Sequence, residues 1–346
     1  MSETLFSPGP IGPLTVNNRV VMPPMCMFAA DETGMPNEFH YVHYVNRAMH
    51  QVGLVIVEAT GVAPEGRITD ADLGIWDDAF IPPFQRMVDE CHRYGAKVLL
   101  QIAHAGRKCE VPDVTPLAPS AVKLDDRYAV PHAMTLSDIQ SFIDQMQTAA
   151  RRADQAGFDG VEIHAAHGYL LNQFLSPITN QRSDAYGGSS ENRTRLLREV
   201  VEAVDAALPA DKALVVRVSA EEYLEDGLHP QKVAEMLSRI PSGMIDAVDV
   251  SSGGLVSVSF PIYPGYQVKF AETIRALTGL PVITGGLIYD PLLANEIIAN
   301  ERAEFVFVGR GLLYDAAWVI KAQKRLGFDQ TWPKPYQGAL GRMNIQ

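Results

Sequence analysis

A short, almost wholly apolar run recurs eight times along this chain, and that recurrence limits the fold more than any other feature. The runs are Arg19–Pro23, Leu54–Ala59, Lys97–Ala103, Gly160–Ala165, Leu214–Ser219, Ala247–Ser251, Pro281–Thr284 and Glu304–Val308. They are rich in Val, Ile and Leu, as strands buried on both faces are. Stretches of helical period lie between them: Gln140–Ala156, stopping at Gly157, then Thr194–Leu208 and Ala271–Leu277, with Pro291 where a first-turn proline is tolerated. Strand and helix alternating without a change of composition predict an α/β chain forming a closed, parallel (β/α)8 TIM barrel. One domain over residues 1–346 is expected, with a C-terminal tail from about 327. A doubly wound open sheet is the alternative, because periodicity does not report closure. Ahead of the barrel, Pro13–Val16, Asn17-Asn18 and Arg19–Val21 read as an N-terminal β-hairpin with an Asn-Asn turn, capping the barrel base.

The formal net charge is −12. Such a field repels phosphate backbones, so nucleic acid is not an expected partner. Cys26, Cys91 and Cys109 are too few and too irregularly spaced for a disulfide framework or a zinc cluster. The opening residues lack the basic-then-apolar pattern of a secretory signal, and no apolar stretch is long enough to span a bilayer. A cytoplasmic protein without a membrane partner is the expectation.

Enzymes on such barrels build their sites from the C-terminal ends of the strands. The reactive residue types gather there: Cys26 after the first run, Gln101 and His104 on the third, His164 and His167 on the fourth and Arg217 on the fifth. Ser251-Ser252, Gly285-Gly286 and Gly309-Arg310 end the last three. Glycines after the seventh and eighth strands let backbone N–H groups approach an anion, and Arg310 adds a charged fork, so a phosphate is expected there. The bland alternative is that these glycines only turn the chain.

His164-Ala165-Ala166-His167-Gly168-Tyr169 puts two imidazoles and a phenol at one strand end, where they can polarise a carbonyl and deliver a proton. A metal is a competing use of the histidines, without an evident third ligand; two satisfied histidines in a polar loop is the other. Glu162 is assigned to the opposite side of the strand from His164. Cys26 and Cys91 read as small core residues, whereas Cys109 follows Arg107-Lys108, cations that favour thiolate. His40 and His43 read as a polar helix face. Residues 184–193 look structural, a glycine turn feeding a helix capped by Ser189 or Ser190. The irregular stretch Lys108–Pro131, with four prolines, is expected to overhang the barrel top.

Several segments together resemble the old yellow enzyme family of FMN-dependent ene-reductases. They are Pro24-Met25-Cys26-Met27, Gly66-Arg67-Ile68-Thr69, Gln101–Lys108, His164–Tyr169 and Tyr186-Gly187-Gly188 with Glu191-Asn192-Arg193. The Cys26 and His-Ala-Ala-His-Gly-Tyr motifs resemble its thermophilic-like class, and the similarity runs from about Leu5 to about Leu326. The resemblance implies noncovalent FMN on the barrel top, with NAD(P)H as reductant. Pro24, Met25 and Cys26 would line the isoalloxazine, with Ala59 and Gln101 on its polar edge. Arg217 would face its N1/C2 carbonyl side, and Gly285, Gly286, Gly309 and Arg310 would hold the phosphate.

His164 and His167 would bind the oxygen of an activating carbonyl or nitro group. Hydride transfer from flavin N5 to the unsaturated carbon would be followed by protonation from Tyr169 or water, and Cys26 would tune the flavin. Two departures stand out. Phe28 occupies a position where the class commonly has a substrate-binding tyrosine, so that hydrogen bond is absent. Tyr336-Gln337-Gly338 puts glycine where the class has an arginine reaching a neighbouring subunit; Arg342 is the substitute considered for the implied homo-oligomer, a dimer or tetramer. Other FMN barrels (hydroxyacid oxidases, dihydroorotate dehydrogenases), a metal-dependent barrel hydrolase and a non-catalytic flavin binder are the competing classes.

Overall fold

All eight apolar runs form strands, and the strands close into a parallel barrel. A computed structural model describes residues 3–340. The barrel strands are β3 (Val20–Met22), β4 (Leu54–Gly61), β5 (Lys97–Ala103), β8 (Gly160–Ala165), β9 (Ala213–Ser219), β10 (Ala247–Ser251), β11 (Val282–Thr284) and β12 (Phe305–Phe307). Each pairs with the next in parallel, and β12 pairs with β3. Two short pairs lie outside: β1 (Gly9–Ile11) with β2 (Leu14–Val16), and β6 (Leu117–Ala118) with β7 (His132–Ala133) inside the irregular stretch after β5. Closure excludes the open-sheet alternative.

The helices follow in order: α1 (Glu38–Met49), α2 (Ile81–Arg93), α3 (Leu136–Gln155), α4 (Leu170–Leu175), α5 (Ser190–Asp205), α6 (Pro230–Leu237), α7 (Val268–Thr278), α8 (Pro291–Ala299), α9 (Arg310–Tyr314), α10 (Trp318–Arg325) and α11 (Lys334–Leu340). Helix α3 shows why they sit where they do. Ile139, Phe142, Met146, Ala149, Ala150 and Ala153 recur at three- and four-residue steps and are buried. Thr135 caps it, its hydroxyl accepting from the Asp138 N–H while the Asp138 carboxylate accepts from the Thr135 N–H. Ser189 caps α5 as the sequence pattern predicts, and Pro291 opens α8. None of the described helices is long and apolar enough to cross a membrane.

The barrel interior is a separate apolar cluster in which Val21, Leu54, Ile56, Leu99, Val215, Ile283 and Phe305 meet Ile11, Leu14 and Val16 of the hairpin. The hairpin therefore plugs the base, as expected, but it pairs differently. Its turn is Gly12-Pro13, with Gly12 at φ 52° packed on Asp246, and the Asn17-Asn18 segment merely leads into β3. Asn18 explains the break: its Nδ2 donates to the Gln51 carbonyl and its Oδ1 accepts from the Val20 N–H, consuming the side chain that an Asn turn would use.

Strand β4 carries a register shift between Val57 and Thr60. This bulge at the barrel rim re-aims Glu58 and Ala59 beside the chain that leaves β3.

Candidate active site

The chain leaves β3 through Pro23 and Pro24, which have no N–H to extend the ladder. It then crosses the barrel mouth as Met25, Cys26 and Met27. The Glu58 carboxylate, fully buried, anchors this crossing by accepting from the Met27 N–H at 2.7 Å and from the Tyr44 hydroxyl at 2.9 Å. Beside it opens a cleft of about 290 Å³. Pro24, Met25, Arg217, Gly286, Gly309 and Arg310 share its wall, with Ser251, Tyr266, Gln267, Leu287, Phe307 and Leu313.

Glycine is required at one point on this wall, Gly286, for steric and conformational reasons. Gly286 has φ 98°, and a Cβ there would sit 2.9 Å from the Tyr266 ring; a Cβ on Gly309 would fill space toward the Met25 sulfur at 3.4 Å. Leu287 follows at φ 52°, a left-handed conformation that costs a branched residue about 1–3 kcal/mol. Gly285 lies one step behind this surface, packed on Phe307 and off the lining.

His164, His167 and Tyr169 cluster next to the cleft. The His164 ring lies 5.3 Å from that of His167 and 4.9 Å from that of Tyr169. His164 is paired with Arg217 across β8 and β9, and Arg217 Nη1 donates to the Pro24 carbonyl at 3.4 Å, so the two groups of residues form one surface. His167 has a left-handed backbone, φ 58°. Its N–H donates to Ser219 Oγ, and its carbonyl accepts from Lys108 Nζ. Its Nε2 meets Ser251 Oγ at 2.7 Å, and Ser251 Oγ also accepts from Gln267 Nε2. Among the described residues His167 Nε2 is the acceptor within reach of the Ser251 hydroxyl, so the serine donates to it and the proton lies on His167 Nδ1. On His164, Nδ1 accepts from the Ala166 N–H, which puts the proton on Nε2. Each imidazole therefore has one N–H to offer.

Both rings stay neutral. Burial pushes His164 and His167 well below the usual histidine value, and the nearby Arg217 and Lys108 charges push the same way. His229, exposed beside Glu221, is raised instead, mainly by that carboxylate. A titration of histidine side-chain NMR signals should show no inflection from pH 8 to 5.5 for His164 and His167, while His229 titrates above 6.5. An inflection near 6.5 at either site residue would show that its N–H is not reserved for a ligand. Since unfolded histidines protonate near 6.5, the stability these two contribute is intact above that pH and is lost as pH falls towards their own values.

Burial likewise pushes the Tyr169 phenol and the Cys26 thiol up, reinforced by the carboxylates around them, so both keep their protons. Phe28 is half exposed at the rim with φ 51°, and Ala59 lines a small void with Tyr169 and Asp72. Gln101 donates through Nε2 to Glu162 Oε1 at 2.7 Å. Glu162 accordingly faces inward on the same side as His164. The expected opposite placement fails because residues two apart on a strand share a face.

Other expectations are corrected too. His104 sits among the surrounding helices, its ring 5.6 Å from Phe142, and burial lowers it to about 4. His40 and His43 are buried beneath α1, not on a polar face, and both are lowered to about 4 by burial. Cys109 is buried, and that burial raises its thiol despite Arg67 nearby. Among the described residues no group of three or more His, Cys, Asp or Glu side chains is placed to hold a metal ion. Tyr336 and Gly338 lie on the exposed α11, and Arg342 is outside the described residues. Lys108, Ser219, Tyr266 and Gln267 were not singled out from the sequence. Only Lys108 carried a signal, its place at the end of the Gln101–Lys108 motif.

Residues 4–328 match the model of the NADH:flavin oxidoreductase / NADH oxidase family. The chain is 45% identical to an NADPH dehydrogenase of Clostridium acetobutylicum, over 97% of this chain and 99% of that one. It is 47% identical to an NADPH dehydrogenase of Geobacillus thermodenitrificans, over 97% and 98%. The solved old yellow enzyme homologue from Zymomonas mobilis superposes with a TM-score of 0.80 at 29% identity, over 95% of this chain and 94% of that one.

Proposed function

The chain belongs to the NADH:flavin oxidoreductase / NADH oxidase family, and from that premise we propose that it reduces activated C=C bonds of α,β-unsaturated carbonyl or nitro compounds. It is an NAD(P)H:flavin oxidoreductase of the old yellow enzyme type, and FMN is its cofactor. The residues at the barrel mouth fit that group. Gly286 stands where a side chain would collide with Tyr266, Gly309 leaves the wall beside it bare, Arg310 offers a charged fork, and Arg217 lines the same cleft. Gly286, Gly309 and Arg310, with Gly285 behind them, would hold the phosphate. Pro24, Met25, Cys26, Ala59 and Gln101 would hold the ring system, and Arg217 would stabilise its reduced, anionic form. Bound FMN supplies the acceptor for the nicotinamide hydride and the donor to the substrate.

The observation that carries the finer reading is the pair of neutral imidazoles with one N–H each, at rings 5.3 Å apart. His164 Nε2–H and His167 Nδ1–H would converge on one substrate oxygen and oppose the negative charge that grows there. Donors aimed at developing charge are each worth on the order of 3 kcal/mol. Tyr169, protonated and beside His164, would give its hydroxyl proton to the α-carbon. Phe28 would pack on the substrate from the rim without a hydrogen bond.

The deciding experiment is the visible spectrum, recorded anaerobically while the FMN-loaded protein is titrated with NADPH and then with cyclohexenone. Bleaching by NADPH followed by recovery with the enone is the expected result. Bleaching without recovery would keep the flavoprotein and sink the assignment to activated C=C bonds.

A further inference from the structure

Below the imidazoles lies a charged cluster that the reaction just described does not use. Glu162 of β8 and Asp249 of β10 are both fully buried, with β9 and its Arg217 between them. Gln101 Nε2 donates to Glu162 Oε1, and Arg217 Nε lies 3.2 Å from Asp249 Oδ2. Three carboxyl oxygens, Glu162 Oε2 and both of Asp249, have no donor among the described residues. Yet the two carboxyls are within hydrogen-bonding reach of each other. Two ionised carboxylates in contact, in a dry interior with one guanidinium, repel each other and leave those oxygens unsatisfied. A single proton between them turns two orphaned acceptors into a donor and an acceptor.

We propose that Glu162 and Asp249 share one proton, carried on Glu162 Oε2, so that the pair opposes Arg217 with one negative charge and not two. Glu162 is the protonated partner because its Oε1 already accepts from Gln101, while Asp249 is the carboxylate held by Arg217. Burial raises both groups, Glu162 the further. Among the described residues no other charge acts on the pair: Gln101 faces it from β5 as a neutral amide, and His164, the next inward residue of β8, is neutral. Interior neighbours on β4, β9, β11 and β12 are Ile56, Val215, Ile283 and Phe307. The cluster is then neutral as a whole, and gain of an electron pair by FMN is not resisted by a buried net negative charge. This consequence rests on the placement of the flavin against Arg217 argued above.

Glu162→Gln copies the protonated acid: its amide N–H can donate to Asp249 while its oxygen still accepts from Gln101. In Asp249→Asn alone Glu162 is free to ionise instead, so the informative partner is the double variant. The midpoint potential of bound FMN, read by dye equilibration, should keep its oxidised-to-reduced ratio within about twofold in Glu162→Gln. In Glu162→Gln/Asp249→Asn that ratio should move at least tenfold toward the reduced form, about 30 mV for a two-electron couple. A tenfold shift in Glu162→Gln alone would mean both groups are ionised; no shift in the double variant would mean both are protonated. Either overturns the proposal.

The infrared spectrum of the wild-type protein at pH 8 decides the matter without flavin. A protonated-carboxyl C=O band that vanishes in Glu162→Gln is expected, and its absence from the wild type overturns the shared proton. If Arg217→Met leaves the potential unchanged, the flavin placement is what fails, and the infrared band still judges the pair.

Discussion

Replacing His164 and His167 together by alanine is expected to slow oxidation of the reduced enzyme by an enone by roughly three orders of magnitude or more, while flavin reduction by NADPH stays within a few-fold. The asymmetry follows from where charge develops. Each neutral imidazole offers one N–H, and loss of one such donor costs about 10²–10³ in rate. Because the two rings are 5.3 Å apart and would serve one oxygen, their effects should not multiply fully. Hydride leaving a dihydronicotinamide builds no negative charge on an oxygen, so the reductive half-reaction is expected to lack this dependence. Anaerobic stopped-flow absorbance separates the two steps. Comparable losses in both would show that the histidines act on cofactor or nicotinamide binding and not on the substrate oxygen.

The other large effect is expected at Arg217. Its guanidinium lies 3.2 Å from the buried Asp249 and 5.5 Å over the Phe307 ring. Arg217→Met removes the only cation facing the Glu162–Asp249 pair among the described residues. Breaking a buried pair from one side costs about 3–5 kcal/mol, since the remaining charge has no partner. The loss should depend on pH in a definite direction. Burial already raises both carboxyls, and without Arg217 they rise further. The folded variant then holds protons that the unfolded chain releases above about pH 4, so its deficit grows as pH rises and shrinks in acid. Urea unfolding of the flavin-free proteins at pH 5 and pH 8 measures this. A deficit under about 1 kcal/mol, or one equal at both values, would mean the pair is already neutral or reached by water.

Much of the site is legible in the sequence once the strands are placed, because strand ends converge on one mouth in any closed parallel barrel. Pro24, Met25, Arg217, Gly286, Gly309 and Arg310 come together on this ground alone. The sequence does not show which parity of β5 points inward. His104 shares its parity with Val98, Leu100 and Ile102, which pack outward against the helices, whereas Leu99 packs in the interior and Gln101 reaches Glu162. Likewise His40 and His43 look like a polar face until α1 buries them, His40 beside Glu58 and His43 against Arg47, which donates to the carbonyl of the distant Leu312.

The sequence by itself determined the alternation of strands and helices and hence a parallel α/β fold, since burial on both faces and a 3.6-residue stripe are local patterns; closure into a barrel belongs to the tertiary structure. The sequence also placed polar residues at nearly every strand end. The tertiary structure alone decided the state of those residues. Ser251 and Gln267, respectively 84 and about 100 positions beyond His167, set its tautomer, and strands β8, β9 and β10 bring two carboxyls and one guanidinium into the same dry interior. The hairpin turns at Gly12, where Asp246, from the far half of the chain, leaves no room for a Cβ. Protonation, tautomer and inward direction depend on neighbours distant in sequence, and only the closing of the barrel supplies them.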